Sequence, residues 1–213
     1  MKLTTQESYR IITGMNDKKE TVNQTANSSW VFKTDQTNQW AFWDKAFTPE
    51  ECQRIIDIGN SRTLHRGTAI SNQEVRDSDI AWLYSCDDMD WAYRRITDII
   101  MSLNERYFQF DLFGLVEGMQ FTRYIAPGGK YGSHIDRIMN GPIRKLSFTL
   151  QLSDPEDYEG GDLMLWSSDN PEIMSREQGY VAVFPSYALH EVTPVTKGTR
   201  YSLVSWITGP PFK

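Results

Sequence analysis

"EGMQFTRYIAPGGKYGSHID", residues 117–136, decides how this chain is read. Its first ten residues form a short run rich in the aromatic and β-branched residues that favour strands. "PGG", residues 127–129, punctuates it, and a second run ends in His134, Ile135 and Asp136. Residues two apart on a strand point to one face, so His134 and Asp136 can offer a nitrogen and an oxygen to a single ion. The chain holds 3 histidines in 213 residues. A lone His-x-Asp is nevertheless a weak motif, and its meaning depends on partners elsewhere.

The texture around it is that of an all-β core. Beyond Phe110, short apolar or alternating runs recur: "RKLSFTLQLSD" (144–154), "GDLMLW" (161–166), "GYVAVFP" (179–185), "HEVTPV" (190–195) and "RYSLVSWI" (200–207). Clusters such as "NGP", "SDPEDYEGG" and "SDNPE" separate them. Many short strands with turn signals at this spacing predict an antiparallel sandwich or barrel, here read as an eight-stranded double sheet. Upstream, Trp40 to Trp43 reads as a first strand. "TPEECQRIIDIGN" (48–60) reads as a helix, with Thr48 as N-cap, Pro49 in the first turn and Glu51 completing a capping box. A second helix starts at Asp90 as cap and carries an apolar stripe of Ala92, Ile96, Ile99, Ile100, Leu103 and Tyr107. Residues 61–80 read as a long polar loop with one strand at most. The class is therefore mainly β with flanking helices (α+β): a polar extension over 1–38, then one domain over 39–213. Within it, 39–116 is a helical support region and 117–209 the barrel core.

Composition narrows the function. A formal charge of −6 and a pI near 5.1 argue against affinity founded on phosphate neutralisation, so no nucleic-acid partner is expected. "MKLTTQESYR" lacks an apolar signal core, and no run approaches the roughly 18 apolar residues of a membrane span. A cytoplasmic protein without membrane partners is expected. The two cysteines, Cys52 and Cys86, are read as buried free thiols, and the seven tryptophans as mostly core. His65 reads as a solvated loop residue. Arg137, Arg144 and Lys145 are read as a positive rim, and loops 61–80 and 137–145 as lids.

A partner for His134 and Asp136 exists. His190 follows the buried-strand pattern "GYVAVFP", and two imidazoles with one carboxylate make the facial triad that leaves coordination positions open. Ligand types alone allow Fe(II), Mn(II) or Zn(II). On the last strand Arg200, Ser202, Val204 and Trp206 share one face; Tyr201, Leu203, Ser205 and Ile207 share the other. If the first face points inward, the buried cation needs an anion, and a bound dicarboxylate would supply one. The alternative is that Arg200 faces solvent.

These residues carry a family resemblance. In order, "QFTRYIAPGGKYGSHID" (120–136), "RKLSFTLQLSDPEDYEGGDLMLW" (144–166) and "VAVFPSYALHEVTPVTKGTRYSLVSW" (181–206) resemble the iron- and 2-oxoglutarate-dependent oxygenases. The branch resembled is the prolyl-4-hydroxylase-like one with PKHD-type hydroxylases. Weaker similarity reaches back to "FTPEECQRII" (47–56), so it covers about four-fifths of the chain. The resemblance implies a double-stranded β-helix (jelly-roll, cupin-like) core with the N-terminal helices packed outside. It implies Fe(II) on His134, Asp136 and His190, and Arg200, helped by Ser202, on the far carboxylate of 2-oxoglutarate. Tyr124 matches a position that hydrogen-bonds this cosubstrate; Val192 and Trp206 match positions packed beside it. Arg76 matches a recurrent family position without an assigned role. At a second tyrosine position the chain departs, offering Gln151 or Thr149. O2 is the implied co-reactant and ascorbate the reductant. The implied reaction is hydroxylation, of a prolyl residue in a peptide or protein, with release of succinate and CO2. A free amino acid or small metabolite is the alternative substrate, and a non-catalytic binding module the alternative class. A carboxylate at Asp136 disfavours halogenation, since halogenating relatives carry a small residue there. Trp206, six residues beyond Arg200, departs from the second arginine of nucleic-acid dealkylases. Oligomeric state is not legible.

Overall fold

A computed structural model describes residues 38–67, 75–86, 88–136, 141–166 and 168–211. Most of the N-terminal extension, the centre of the first expected lid (68–74) and the first four residues of the second (137–140, Arg137 among them) lie outside these residues. The chain begins with β1 (Ala41–Trp43), α1 (Pro49–Ser61), β2 (His65–Arg66), β3 (Arg76–Asp77), β4 (Asp79–Leu83) and α2 (Asp90–Leu103). A π-helical turn, Asn104–Phe108, follows α2. The strands after it are β5 (Met119–Ile125), β6 (Lys130–His134), β7 (Arg144–Gln151), β8 (Tyr158–Gly160) and β9 (Leu163–Trp166). β10 (Pro171–Ile173), β11 (Val181–Pro185), β12 (Leu189–Val192) and β13 (Val195–Thr208) complete them.

Two antiparallel sheets result. The larger runs β1-β11-β7-β13-β5-β4-β2 with β8 on β13; the smaller runs β10-β9-β12-β6-β3. This is the expected jelly-roll, although with more strands than the eight read from the sequence. The added strands are short, and residues 61–80 supply part of them. β2 and β3 occupy sheet edges there, and both residues of β2 are exposed. An edge strand with little to bury has no alternation to betray it.

α1 forms with the expected capping box: the Glu51 N–H donates to Thr48 Oγ1 at 3.3 Å, and the Thr48 N–H to Glu51 Oε2 at 3.0 Å. α2 starts differently. Met89 is its N-cap, without a side-chain cap, while Asp90 lies inside the first turn and accepts from Arg94 Nε at 2.6 Å. The stripe Ala92, Ile96, Ile99, Ile100 and Leu103 is buried as read, whereas Tyr107 falls in the π-helical turn and is half-buried.

The larger sheet has two unlike faces. Met119 and Phe121 of β5, with Leu203 and Ile207 of β13, join α1 and α2 in the main apolar cluster. The alternate residues, Gln120, Thr122 and Tyr124 with Arg200, Ser202, Val204 and Trp206, line an interior cavity. The helices thus carry the hydrophobic core on the outside of the sheet, and the polar inner face is left to chemistry. From Arg200 to Thr208 both faces of β13 are largely withdrawn from water, so the alternative that Arg200 faces solvent does not hold. Cys52 is buried as expected, but Cys86 is exposed, just before α2. Among the described tryptophans Trp206 is buried and Trp40, Trp43, Trp82, Trp91 and Trp166 are half-buried, since indoles suit the margins of a thin sandwich. His65 is exposed, on an edge strand rather than a loop. Among the described residues no helix is long and apolar enough to cross a membrane.

Gly59 sets the helix–sheet distance. A Cβ there would lie 2.4 Å from Cγ of Phe121, a fully buried ring that cannot swing aside. Gly59→Ala should gain about 1 kcal/mol of helix propensity and lose more, about 1–3 kcal/mol, to overpacking. Thermal denaturation should therefore show a lowered midpoint.

Candidate metal centre and its cavity

His134, Asp136 and His190 come together, each offering a donor atom within 4.8 Å of the others. His134 ends β6 and pairs across the ladder with His190 of β12, which puts two imidazoles side by side on the inner face. Asp136 lies two residues beyond the end of the strand rather than on it, fixed by its own N–H donating to Ser186 O at 2.9 Å. Its carboxylate sits 3.6 Å from His134 Nε2 and 3.4 Å from His190 Nε2. Nδ1 of His134 lies 2.8 Å from Gly132 O, and Nδ1 of His190 2.9 Å from Ala188 O. Each carbonyl can only accept, so Nδ1 carries the hydrogen and Nε2 keeps its lone pair for an ion.

At His134 electrostatics favour the same neutral ring. Burial, reinforced by His190, pushes His134 down to about 4, so its ring is neutral at physiological pH. Burial alone would raise the carboxyl of Asp136, but His190, His134 and hydrogen bonds from His190 and Ser147 hold it below the usual carboxylate range. Burial lowers His190, and the Asp136 carboxylate more than reverses this. Ser147 Oγ donates to Asp136 Oδ2 at 2.7 Å and lies 3.0 Å from Ser186 Oγ. A dry pocket with two free imidazole nitrogens and one ionised carboxylate on one side suits a divalent ion with open positions.

The sequence reading missed what holds the imidazoles. Tyr131 stacks on His134, centroids 3.6 Å apart, and Arg76 lies over the other side of that phenol at 4.5 Å. Arg76 is buried, donating from Nε to Ser78 Oγ at 2.8 Å and from Nη2 to Gln120 Oε1 at 2.7 Å. Phe184 flanks His190 at 4.8 Å. Strict alternation would put Tyr131 and His134 on opposite faces. A bulge prevents it: Tyr131 pairs with Val192 and His134 with His190, so three steps on β6 match two on β12. "KYGSHID" contains a glycine at that point, which is a hint of a bulge and no more.

The cavity beside the triad holds about 470 Å³ of empty space, part of it open to solvent. Tyr124, Val192, Arg200, Ser202 and Trp206 line it together with His134, Asp136 and His190. Arg200 is cross-strand partner of Tyr124, its guanidinium 5.4 Å from that ring. It is 3% exposed, and its Nε and Nη1 have no hydrogen-bond partner among the described residues. A buried cation in this state calls for an anion in the cavity. Thr149 and Arg200 also line a second cavity of about 280 Å³ with Gln151, whose Nε2 donates to Tyr158 Oη at 2.9 Å.

The expected positive rim does not form as read. Arg144 makes a bidentate pair with Glu117, at 2.7 and 2.6 Å, and stacks on Trp206 with its carbon 3.6 Å from the ring centroid. Lys145 is buried, and burial lowers its ammonium. On β7 both residues fall within the sheet margin instead of the loop before it.

Replacing Ser147 by alanine removes the hydroxyl that orients Asp136. Divalent-metal affinity of a folded Ser147→Ala protein should fall about tenfold in a Mn(II) titration. Unchanged affinity would show that Asp136 needs no such support.

Comparison with known proteins agrees with the geometry. Residues 119–208 match the family model of the 2OG-Fe(II) oxygenase superfamily. A PKHD-type hydroxylase of Picosynechococcus sp. is 43% identical over 93 residues, 43% of this chain and 42% of the relative. Another from Synechococcus sp. is 37% identical over 122 residues, 54% of each. The matched part thus spans about half the length of these curated relatives. Two solved structures share the fold. A Pseudomonas putida prolyl-4-hydroxylase superposes with a TM-score of 0.63 at 22% identity, covering 81% of this chain and 94% of that one. A Trichoplax adhaerens prolyl hydroxylase, in complex with a hypoxia inducible factor oxygen degradation domain peptide fragment, gives 0.68 at 20% identity, covering 81% and 84%. Over residues 119–208 this chain is similar to the 2OG-Fe(II) oxygenase superfamily, and the curated relatives it resembles are PKHD-type hydroxylases.

Proposed function

We propose that residues 39–213 form one oxygenase domain that hydroxylates a prolyl residue in a peptide or protein. Fe(II) would be held by His134, Asp136 and His190, and 2-oxoglutarate by Arg200. The observation that carries this reading is the buried guanidinium of Arg200, unpaired, in the same cavity as two imidazoles and a carboxylate. When bound, iron and 2-oxoglutarate supply the oxidation: O2 is consumed, 2-oxoglutarate leaves as succinate and CO2, and one oxygen enters a substrate C–H bond.

The chain's own groups bind and orient. The planar fork of Arg200 fixes the direction of a dicarboxylate, which a lysine point charge would do less well. Ser202, two residues along the inner face, adds a hydroxyl, and the phenol of Tyr124 stands beside the guanidinium. Val192 and Trp206 wall the cavity and exclude water, which strengthens the polar contacts within it. The two Nδ1–H groups stay on backbone carbonyls, so neither imidazole is a proton shuttle. A prolyl substrate is supported by the PKHD-type and prolyl hydroxylase relatives, one of which is complexed with a peptide.

Succinate release should depend on Fe(II) and 2-oxoglutarate, and mass spectrometry of proline-containing peptides should find a gain of one oxygen. Arg200→Ala should raise the 2-oxoglutarate concentration for half-maximal turnover about tenfold or more, the scale of a lost charge-assisted hydrogen bond. His134→Ala should abolish turnover. A folded His134→Ala protein that still decarboxylates 2-oxoglutarate at the parent rate would overturn the metal assignment.

A further inference from the structure

Tyr158 lies in "SDPEDYEGG", a stretch whose sequence signals only a turn. In the fold it begins β8, which pairs with the start of β13, so that Tyr158 stands opposite Gly198, two residues before Arg200. Its ring is buried and faces the second cavity, the one Arg200 shares. Gly161 makes the approach possible. A Cβ there would sit 3.0 Å from Cδ of Arg200 and 3.4 Å from Cε2 of Tyr158, so the glycine leaves the arginine stem and the phenol a common space.

Two groups hold that phenol from behind. Gln151 is the register partner of Ser202 on the inner face, diagonal to Arg200, and its Nε2 donates to Tyr158 Oη at 2.9 Å. Arg176 lies over the ring at 4.3 Å, donates from Nη2 to Tyr158 O at 2.7 Å, and brings Nε to 3.4 Å from Oη. Both side-chain contacts present an N–H to the phenol oxygen. The phenol's own hydrogen therefore remains to be donated, in a cavity it shares with Arg200, whose Nε and Nη1 lack hydrogen-bond partners among the described residues.

We propose that Tyr158, presented by Gln151, is a second hydrogen-bond donor to the far carboxylate that Arg200 binds. This rests on the reading of Arg200 given above. Gln151 then acts through Tyr158 and does not itself touch the ligand, while Arg176 clamps the ring from the far side.

The test is equilibrium binding without turnover. With Mn(II) in the metal site, calorimetry would compare 2-oxoglutarate with 2-oxobutanoate, which keeps the oxo-acid end and lacks the far carboxylate. Tyr158→Phe should weaken 2-oxoglutarate about tenfold and leave 2-oxobutanoate unchanged. Gln151→Leu should weaken it severalfold, and Gln151→Leu combined with Tyr158→Phe no further than Tyr158→Phe alone, because the two act as one unit. Equal binding of 2-oxoglutarate by Tyr158→Phe and the parent, or equal losses for both ligands, would overturn the proposal. Arg200→Ala serves as reference. If it abolishes the preference for 2-oxoglutarate while Tyr158→Phe has no effect, only the role of Tyr158 falls. If Arg200→Ala keeps the preference, the reading of Arg200 falls with it.

Discussion

A guanidinium buried without a counter-charge is the constraint around which this protein is arranged. Moving an unpaired cation out of water costs several kcal/mol, and Nε and Nη1 of Arg200 have no hydrogen-bond partner among the described residues. Such a residue persists only where the remaining structure is stable without it. Here that stability comes from the opposite side of the same sheet, where α1 and α2 close over Phe121, Phe148, Leu150 and Leu203. The division of labour between the two faces is what frees the barrel interior from having to be a core.

The interior is then organised by short-range support. Each imidazole is turned by a backbone carbonyl two residues before it, and the carboxylate by Ser147. Arg76, Tyr131 and His134 stack in sequence, and the outermost of them is tied to Ser78 and Gln120. Side chains held in this way lose little freedom when a ligand arrives, so more of the interaction energy is available for binding. Trp206 is treated similarly at the other end of the inner face, pinned under Arg144 while Glu117 fixes that guanidinium.

Some of this was legible in residue order. The His-x-Asp, His190 and Arg200 sequence named the side chains that share the cavity, because their residue chemistry and order are local properties of the chain. Tyr131 was not legible, since a bulge inverted its face. The contact between Tyr158 and Gln151 was not, because it depends on a pairing between β8 and β13 that no local pattern encodes. Of the positive rim read from Arg137, Arg144 and Lys145, Arg144 is neutralised because Glu117, 27 residues before it, lies beside it in the fold, and Lys145 is buried.

Sequence by itself therefore determined the class of fold, the two helices, the capping of the first, and the set of metal-binding residue types on inward positions. Periodicity and residue chemistry are properties of a few consecutive positions, and they carry that much. Which face of β13 met a cavity, which charges were neutralised, and which phenols reached the buried cation were decided by tertiary structure alone. Those outcomes depend on register between strands far apart in the chain, where a shift of one residue exchanges the two faces of a strand.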